Sequence, residues 1–432
     1  MPPLRGRSGV EPSDLQNRVD HWQRFKTGDF AQKWNSSKLI VKEGKNAIAP
    51  LLDLLNDPTV DSETHWFTIR ALGNFPEPGV IEAIAAQIGN TAHYTSRTSE
   101  QADELSDFAI ETLAAMGNVA IDILSQLLHQ PQRRLLAAKA LNQVRSSGVI
   151  PAMLPMAKDD NAQVRYYAID ALGSFHNEAV TDALLSALQD PASKVRKAAV
   201  MALGRRRDLQ AHHQLSQQLQ PLLWDITLEV SCQAALALGR LGAEDAIEAL
   251  QQVLLSDHTP MTLRIDTVRA LEWYCNSSDP THQAVVNQAF TVLIDALEQF
   301  GRSSESNSEN NIENHLLPLP PQEKQQMQVA IIRVLGDLRY GAIAQEATEI
   351  LIKRLENYPP AAVAQAIIMA LANLGQPQAF DALLPLLNHP ADVVPIHTIA
   401  ALKRLDPDHS LKRVTNYINH FPESQTDVLD FW

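Results

Sequence analysis

A repeated block of six residues constrains the fold of this chain more than any other feature. A Val-Arg pair, two alanines, a leucine and a glycine recur with the same spacing 31 residues further along. The two copies are Val164, Arg165, Ala168, Ala171, Leu172 and Gly173, then Val195, Arg196, Ala199, Ala202, Leu203 and Gly204. Six matches at one offset indicate an internal repeat, which determines the fold of the whole chain.

The leucine of this block serves as an anchor that locates further copies. They are centred on Leu72, Leu113, Leu141, Leu238, Leu271, Leu335, Leu371 and Leu402. Most anchors are 28 to 41 residues apart, but the step from Leu271 to Leu335 is 64, which predicts two repeats in that interval.

Each copy predicts a pair of helices. Val195, Ala199, Ala202 and Leu203 lie at i, i+4, i+7 and i+8, which is the apolar stripe of one helix, and a second leucine-containing helix follows. Two helices of this length cannot bury both of their faces alone, so each pair must stack on its neighbours. The sequence therefore predicts an all-α fold, an α-solenoid (superhelix) of about ten helix pairs on the order of 90 Å long.

Local signals predict where the first helix of each pair begins and ends. Asp57-Pro58 and Asp190-Pro191 resemble helix starts, because Asp accepts free N–H groups and Pro suits the first helical position. Glycine follows the anchor leucine in five copies, which predicts a left-handed residue at the helix end. These are Gly73, Gly173, Gly204, Gly239 and Gly336.

Composition shifts divide the chain into five segments. We expect an N-terminal tail and helical cap, repeats, a polar disordered insertion, further repeats, and a C-terminal cap or tail. Their bounds are 1–44, 45–300, 301–323, 324–405 and 406–432. The insertion contains His315-Leu316-Leu317-Pro318-Leu319, which is either part of a tolerated surface loop or a short docking motif.

Charge and composition exclude several classes of partner. Asp and Glu number 50 against 36 Lys and Arg, and the net charge of −14 repels a phosphate backbone, so nucleic acid is not an expected partner. No apolar run approaches the roughly 20 residues of a membrane span, and no apolar leader begins the chain. The two cysteines form no disulfide framework. We expect a cytoplasmic protein without a membrane span.

The repeated pattern V-R-x-x-A-x-x-A-L-G after an Asp-rich turn resembles the HEAT-like repeat of the phycobilisome lyase type. The resemblance covers most of residues 45–405. That family includes E/F-type phycobilin lyase subunits, which attach or remove bilins, phycobilisome-degradation proteins, and adaptors without known chemistry. The resemblance implies a cyanobacterial origin and a bilin or a phycobiliprotein subunit as possible ligands. The matched positions are chiefly buried and turn residues, so they specify the fold more than the function.

Residues suited to catalysis or metal binding are few. The sequence lacks the common phosphate-binding, dinucleotide-binding, nucleophile-elbow and zinc-protease motifs, so we expect no catalytic residue and no cofactor, and an enzyme only if it is a bilin lyase. His212-His213 lacks further ligands for a metal. Cys232 is expected in the core. Cys275 is expected nearer a turn, as a weak candidate thiol for a bilin or a shared iron–sulfur cluster.

Recurring arginines are expected at the same place in their repeats, which predicts a ladder along the solenoid. They are Arg70, Arg134, Arg165, Arg196 and Arg264. Such an arginine is expected to meet a turn acid of an adjacent repeat, as Arg196 would meet Asp160. The ladder could instead bind an acidic partner or the propionates of a tetrapyrrole, because Arg holds carboxylates bidentately.

Aromatic and basic residues outside the core pattern are candidates for contact with a protein partner. They are Tyr166, Arg205, Arg206, Arg207, Trp224, Trp273, Phe431 and Trp432. The leading functional hypothesis is a non-enzymatic scaffold or adaptor that binds a protein partner along its concave face. The alternatives are a phycobilin lyase or lyase-like subunit, and an adaptor for iron–sulfur cluster assembly, which depends on Cys275.

Overall fold

The computed structural model describes residues 12–89, 99–209, 214–276, 283–302, 319–339, 341–357 and 359–420. All regular secondary structure in these ranges is helical, which confirms the predicted all-α class. The chain divides into two compact units, Met1–Ala202 and Leu203–Trp432.

In the first unit, the first helices of the pairs alternate with second helices that are shorter in most repeats. An initial helix, Pro12–Thr27, precedes them. The first helices are Phe30–Lys42, Ser62–Leu72, Ser99–Met116, Pro131–Gln143, Ala162–Leu172 and Ser193–Leu203. The second helices are Ile48–Leu55, Pro78–Ala85, Ile121–Leu128, Ile150–Met156 and Glu178–Ala187, and 3-10 turns at Gly44–Ala47, Gly117–Ala120 and Ser147–Val149 lead into three of them.

The second unit continues the same alternation. Its first helices are Leu228–Leu241, Met261–Cys275, Pro321–Gly336, Ala361–Leu374 and Val393–Leu405. Its second helices are Leu215–Leu219 with the 3-10 turn Gln220–Trp224, Ile247–Leu255, Gln283–Gly301, Gly341–Leu355, Gln378–Leu383 with the 3-10 turn Leu384–Asn388, and Ser410–His420. Short 3-10 turns also lie at Arg207–Leu209 and Glu244–Ala246.

The anchor leucines form the core of each unit. All ten of them have a relative exposure of 0%. Each lies on a first helix, and successive first helices within a unit pack against one another, as Leu228–Leu241 does against Met261–Cys275. The leucine pattern therefore identified the buried stripe of every first helix that carries an anchor.

The long step from Leu271 to Leu335 holds one repeat, not the two that the spacing predicted. Helix Met261–Cys275 packs directly against Pro321–Gly336, and the described residues place no further first helix between them. The extra length comes from a long second helix, Gln283–Gly301, and from residues of the predicted insertion. Residues 303–318 of that insertion, including His315 of the possible docking motif, lie outside the described residues.

The glycine after the anchor leucine is not a left-handed helix end, contrary to the sequence prediction. Gly73 and Gly173 have φ of −56° and −60°, and Gly239 and Gly336 lie within helices. A Cβ at any of the four would approach the next first helix within 2.6 Å, at Thr112, Ala202, Ala270 and Ala370 respectively. Glycine is therefore required because neighbouring first helices approach closely. The left-handed ends of two helices are Gly242 and Gly375 instead.

The Asp-Pro pairs shape turns and do not cap helices directly. The Asp57 carboxylate accepts a hydrogen bond from the Thr59 N–H at 2.9 Å, and helix Ser62–Leu72 is capped by Asp61. Asp190 likewise accepts from the Ala192 N–H at 2.8 Å, while the following helix begins at Ser193. These are Asx turns, which tighten the entry to the next first helix.

Contrary to the sequence expectation that no apolar run approaches the length of a membrane span, one stretch, Glu104–Leu128, is long and apolar enough to cross a membrane by length and composition. The structure divides it at Gly117, whose φ is +68°, into the helices Ser99–Met116 and Ile121–Leu128. The apolar residues Leu113, Leu124 and Leu128 on these helices are buried. These features fit a repeat core.

Candidate partner-binding surfaces

Four arginines of the ladder share one position, seven residues before the anchor leucine. Each donates to a backbone carbonyl oxygen in the turn before its own helix. Arg134, Arg165, Arg196 and Arg264 reach the carbonyl oxygens of Leu128, Asp159, Asp190 and Ser256 at 2.8, 2.8, 2.8 and 2.6 Å. The side chains therefore supply donors to carbonyl groups that the turn leaves without helical partners.

Two of these arginines also pair with the turn acid of the following repeat. Arg134 contacts Asp159 at 3.0 Å, and Arg165 holds Asp190 bidentately at 2.7 and 2.9 Å. The expectation that Arg196 meets Asp160 pointed toward the preceding repeat, whereas both of these pairs run the other way. Each arginine pairs with the acid of the following turn because the carboxylate in that Asx turn lies beside the arginine's own helix.

Asp190 links stability to pH. Although burial alone would raise its pKa, hydrogen bonds from Arg165 and the Ala192 N–H hold the pKa of Asp190 below its ordinary value. A lowered pKa in the folded state gives stability that is present above the ordinary Asp range and is lost as the pH falls through the folded-state pKa.

We expect Asp190→Asn to lower the free energy of unfolding by about 1–3 kcal/mol at neutral pH, because it leaves Arg165 without its carboxylate. Urea unfolding of both proteins between neutral and strongly acidic pH measures the difference. The difference should shrink as the pH falls below the ordinary Asp range. A difference that stays constant with pH would contradict this role for the carboxylate.

Arg264 departs from the other rungs. Its side chain is 1% exposed, its guanidinium lies 5.7 Å from the Phe300 ring centroid, and burial lowers its pKa. Its Nε and Nη1 have no hydrogen-bond partner among the described residues. Arg264 therefore contributes through packing and through its hydrogen bond to the Ser256 carbonyl oxygen.

Arg70 does not belong to the ladder. It lies two residues before its anchor leucine, and His65 occupies the ladder position of that repeat. In the preceding repeat the buried Lys33 pairs with acids at the start of the following repeat. Its Nζ contacts Asp61 at 2.9 Å and Glu63 at 2.9 Å. Arg70 is instead exposed beside aromatic rings.

The three arginines after Gly204 differ from one another in accessibility. Arg205 is exposed. Arg206 is buried, and its guanidinium is bound bidentately by Asp208 at 2.9 and 2.8 Å. Arg207 donates from Nε to the Arg240 carbonyl oxygen at 2.6 Å. Of these three contact candidates, Arg206 is therefore not available at the surface, because it is buried and Asp208 compensates its charge.

The remaining sequence candidates are scattered. Tyr166 is half-buried beside Tyr167, with ring centroids 5.3 Å apart, and burial together with Asp170 raises its pKa. Trp273 is partly exposed, and the Arg240 guanidinium lies 5.1 Å from its ring centroid. Phe431 and Trp432 lie outside the described residues.

Trp224 belongs to a larger apolar surface that the sequence did not reveal. Trp224, Ile226 and Leu228 are 56%, 98% and 36% exposed. They border a cavity of about 230 Å³ whose wall also includes Val253 and Leu263. We call Trp224, Ile226 and Leu228 the Trp224 surface. It combines an exposed ring, an almost fully exposed isoleucine and an adjacent depression.

Thiol and metal chemistry have little support among the described residues. Cys275 is the last residue of helix Met261–Cys275, beside the turn at Asn276 as expected, but it is fully buried. Burial with a contribution from Glu272 raises its pKa to about 12. A thiol in this state is not a reactive nucleophile or ligand. Cys232 is buried, as expected. The described ranges contain no cluster of three or more metal-binding side chains, and His212-His213 lie outside them.

Comparisons with known proteins agree with this architecture. The sequence profile of HEAT repeats matches residues 150–227 and 315–420, and that of the PBS lyase HEAT-like repeat matches residues 232–256. A search of curated protein sequences finds no significant match.

Solved structures of similar fold include Kap121p bound to Pho4p, with 13% identity, a TM-score of 0.56, and coverage of 98% of this chain and 48% of that one. They also include importin beta, with 14% identity, a TM-score of 0.51, and coverage of 95% and 60%. The chain therefore spans about half to three fifths of the length of these proteins.

Stacked helix pairs with anchored leucines define an all-α repeat protein of the α-solenoid class. Within that class, residues 150–227 and 315–420 are similar to HEAT repeats, and residues 232–256 are similar to the PBS lyase HEAT-like repeat.

Proposed function

We propose that this chain is a non-enzymatic adaptor that binds a protein partner, and that the Trp224 surface contributes to the contact. The observation that carries the proposal is the exposure of Trp224 and Ile226 side by side. Water-exposed apolar groups that cluster are typical of interaction sites, because their burial in a complex is favourable.

The composition of the surface suits a binding anchor. Tryptophan is enriched among residues that dominate binding energy, and such residues are effective next to depressions that exclude water. The cavity beside Trp224 is lined by apolar Leu228 and Leu263 and by polar Ser231 and Ser256. An apolar partner side chain could enter it.

Proteins with the same fold offer a precedent. Kap121p has been solved bound to Pho4p and to the extreme C-terminus of the phosphatase Cdc14p. These complexes support protein binding as a use of the fold.

We expect Ile226→Ser and Trp224→Ala to reduce recovery of the partner about tenfold, because each removes an anchor worth roughly 1.4 kcal/mol or more. The measurement is native affinity purification from the source organism with quantitative mass spectrometry. Val119→Ser is the matched control, since Val119 is 46% exposed in a 3-10 turn of the other unit. Absence of any stoichiometric protein with the wild type would overturn the adaptor function.

A second candidate is a phycobilin lyase-like function, and the match of residues 232–256 to the PBS lyase HEAT-like repeat favours it. The bilin would then be transferred to a cysteine of a phycobiliprotein. Incubating the protein with bilin and an apo-phycobiliprotein should give a covalently coloured product. An unchanged visible spectrum would count against this function.

A further inference from the structure

A row of stacked aromatic rings and one guanidinium crosses three successive first helices of the Met1–Ala202 unit. The Arg70 guanidinium lies 4.5 Å from the Trp34 ring centroid and 5.5 Å from that of Trp66. Trp34 stacks on Phe30 at 6.3 Å, and Trp66 stacks on Phe108 at 4.6 Å. We call Phe30, Trp34, Arg70, Trp66 and Phe108 the Arg70 stack.

Arg70 is held in place but keeps its hydrogen-bonding capacity. It is exposed, and its guanidinium makes no hydrogen bond or ion pair with the part of the chain that the structure describes. Contacts with aromatic rings restrict its position without using its five in-plane donors. A carboxylate could therefore bind it bidentately with little further loss of side-chain entropy.

The surroundings of Arg70 are positive on one side and apolar on another. Lys38 Nζ lies 5.0 Å from the same Trp34 ring centroid, and the exposed Lys42 follows one turn later on that helix. Phe30 is 56% exposed at the end of the stack. On the far side the positive surface ends, because Asp107 is paired with Lys139 and Glu111 is exposed.

We propose that the Arg70 stack binds an acidic segment of a protein partner, with a carboxylate on Arg70, further negative charge toward Lys38, and an apolar side chain on Phe30. The proposal rests on the adaptor function and names the chemistry of one contact. Charge complementarity carries it, because Arg70, Lys38 and Lys42 lie together without an ion pair to any described residue, in a chain of net charge −14.

Nucleic acid is a poorer occupant of the same surface. Stacking of bases requires open aromatic faces. Arg70 and Lys38 lie over the Trp34 ring, and Arg70 and Phe108 lie against Trp66. The arrangement therefore presents guanidinium donors more than free ring faces.

The test is a fluorescence anisotropy titration of the full-length protein with a labelled peptide that alternates glutamate and leucine. We expect Arg70→Gln to weaken binding about tenfold, as for loss of one charge-assisted bidentate contact. Arg70→Lys should weaken it less, because it retains the charge without the planar fork. Arg333→Gln, which alters an exposed arginine of the other unit, should leave binding unchanged.

Several outcomes would overturn the proposal: no binding of the glutamate peptide, equal binding by wild type and Arg70→Gln, equal binding of a peptide with glutamine for glutamate, or tighter binding of a single-stranded oligonucleotide.

Affinity purification with Arg70→Gln separates the two proposals. A partner that this variant retains fully leaves the adaptor function intact and removes the Arg70 stack from its interface. Recovery of no partner by the wild type removes the adaptor function, while the peptide titration still decides the stack.

Discussion

Leu371→Ala is expected to lower the free energy of unfolding of the Leu203–Trp432 unit by about 2–5 kcal/mol. Leu371 is fully buried on helix Ala361–Leu374, which packs against the first helices Pro321–Gly336 and Val393–Leu405. The substitution leaves a cavity between this helix and its two neighbours. Because the helix is packed on both sides, the neighbouring helices cannot both move in to fill the cavity.

The effect should be regional as well as large. In a repeat protein each unit contacts only its neighbours, so amide hydrogen exchange should accelerate most in the three helices around Leu371. Met369→Ala is the matched control, because Met369 lies on the same helix and is 42% exposed. Its effect should stay within about 0.5 kcal/mol. Urea unfolding measures both variants, and equal losses would mean that the buried stripe has been assigned to the wrong helix face.

The buried stripe was predictable because its periodicity is local. Residues at i, i+4, i+7 and i+8 lie on one face of a helix whatever surrounds it, and the leucine anchors at the centre of that face are all buried. The length of the interval from Leu271 to Leu335 was misleading, because a count of residues does not distinguish an extra repeat from a long second helix and an insertion. Helix contacts resolve that ambiguity.

The candidate surfaces depend on contacts between repeats, which spacing alone does not show. The prediction that Arg70 and Arg165 occupy the same place in their repeats is wrong, because their positions relative to the anchor differ by five residues. That register was available from the sequence, but the stacking of Arg70 on Trp34 and Trp66 was not. The unusual position of Ile226 was also visible in the sequence. Ile226 follows a turn aspartate, whereas Pro58 and Pro191 occupy the equivalent position in other turns.

Gly239→Ala is expected to lower the free energy of unfolding by about 1–3 kcal/mol, or somewhat more. A Cβ on Gly239 would lie 2.6 Å from the Ala270 Cα and 2.9 Å from its carbonyl oxygen. Both are backbone atoms of the neighbouring first helix, so the clash cannot be relieved by a side-chain rotation. Helices Leu228–Leu241 and Met261–Cys275 would have to separate, with a loss of packing along their contact.

The sign of the change in unfolding free energy shows whether Gly239 is required by the close contact between helices. Gly239 lies inside a helix, where alanine is intrinsically favoured by roughly 0.5–1 kcal/mol, so without the close contact the substitution would stabilise the protein. Gly341→Ala is the control in the same unit, because no atom lies within 4 Å of its added Cβ. Thermal or urea unfolding should show a loss for Gly239→Ala and no loss for Gly341→Ala. If both substitutions stabilise the protein, the two helices leave room for a side chain at Gly239. The repeated glycine would then have no packing role there.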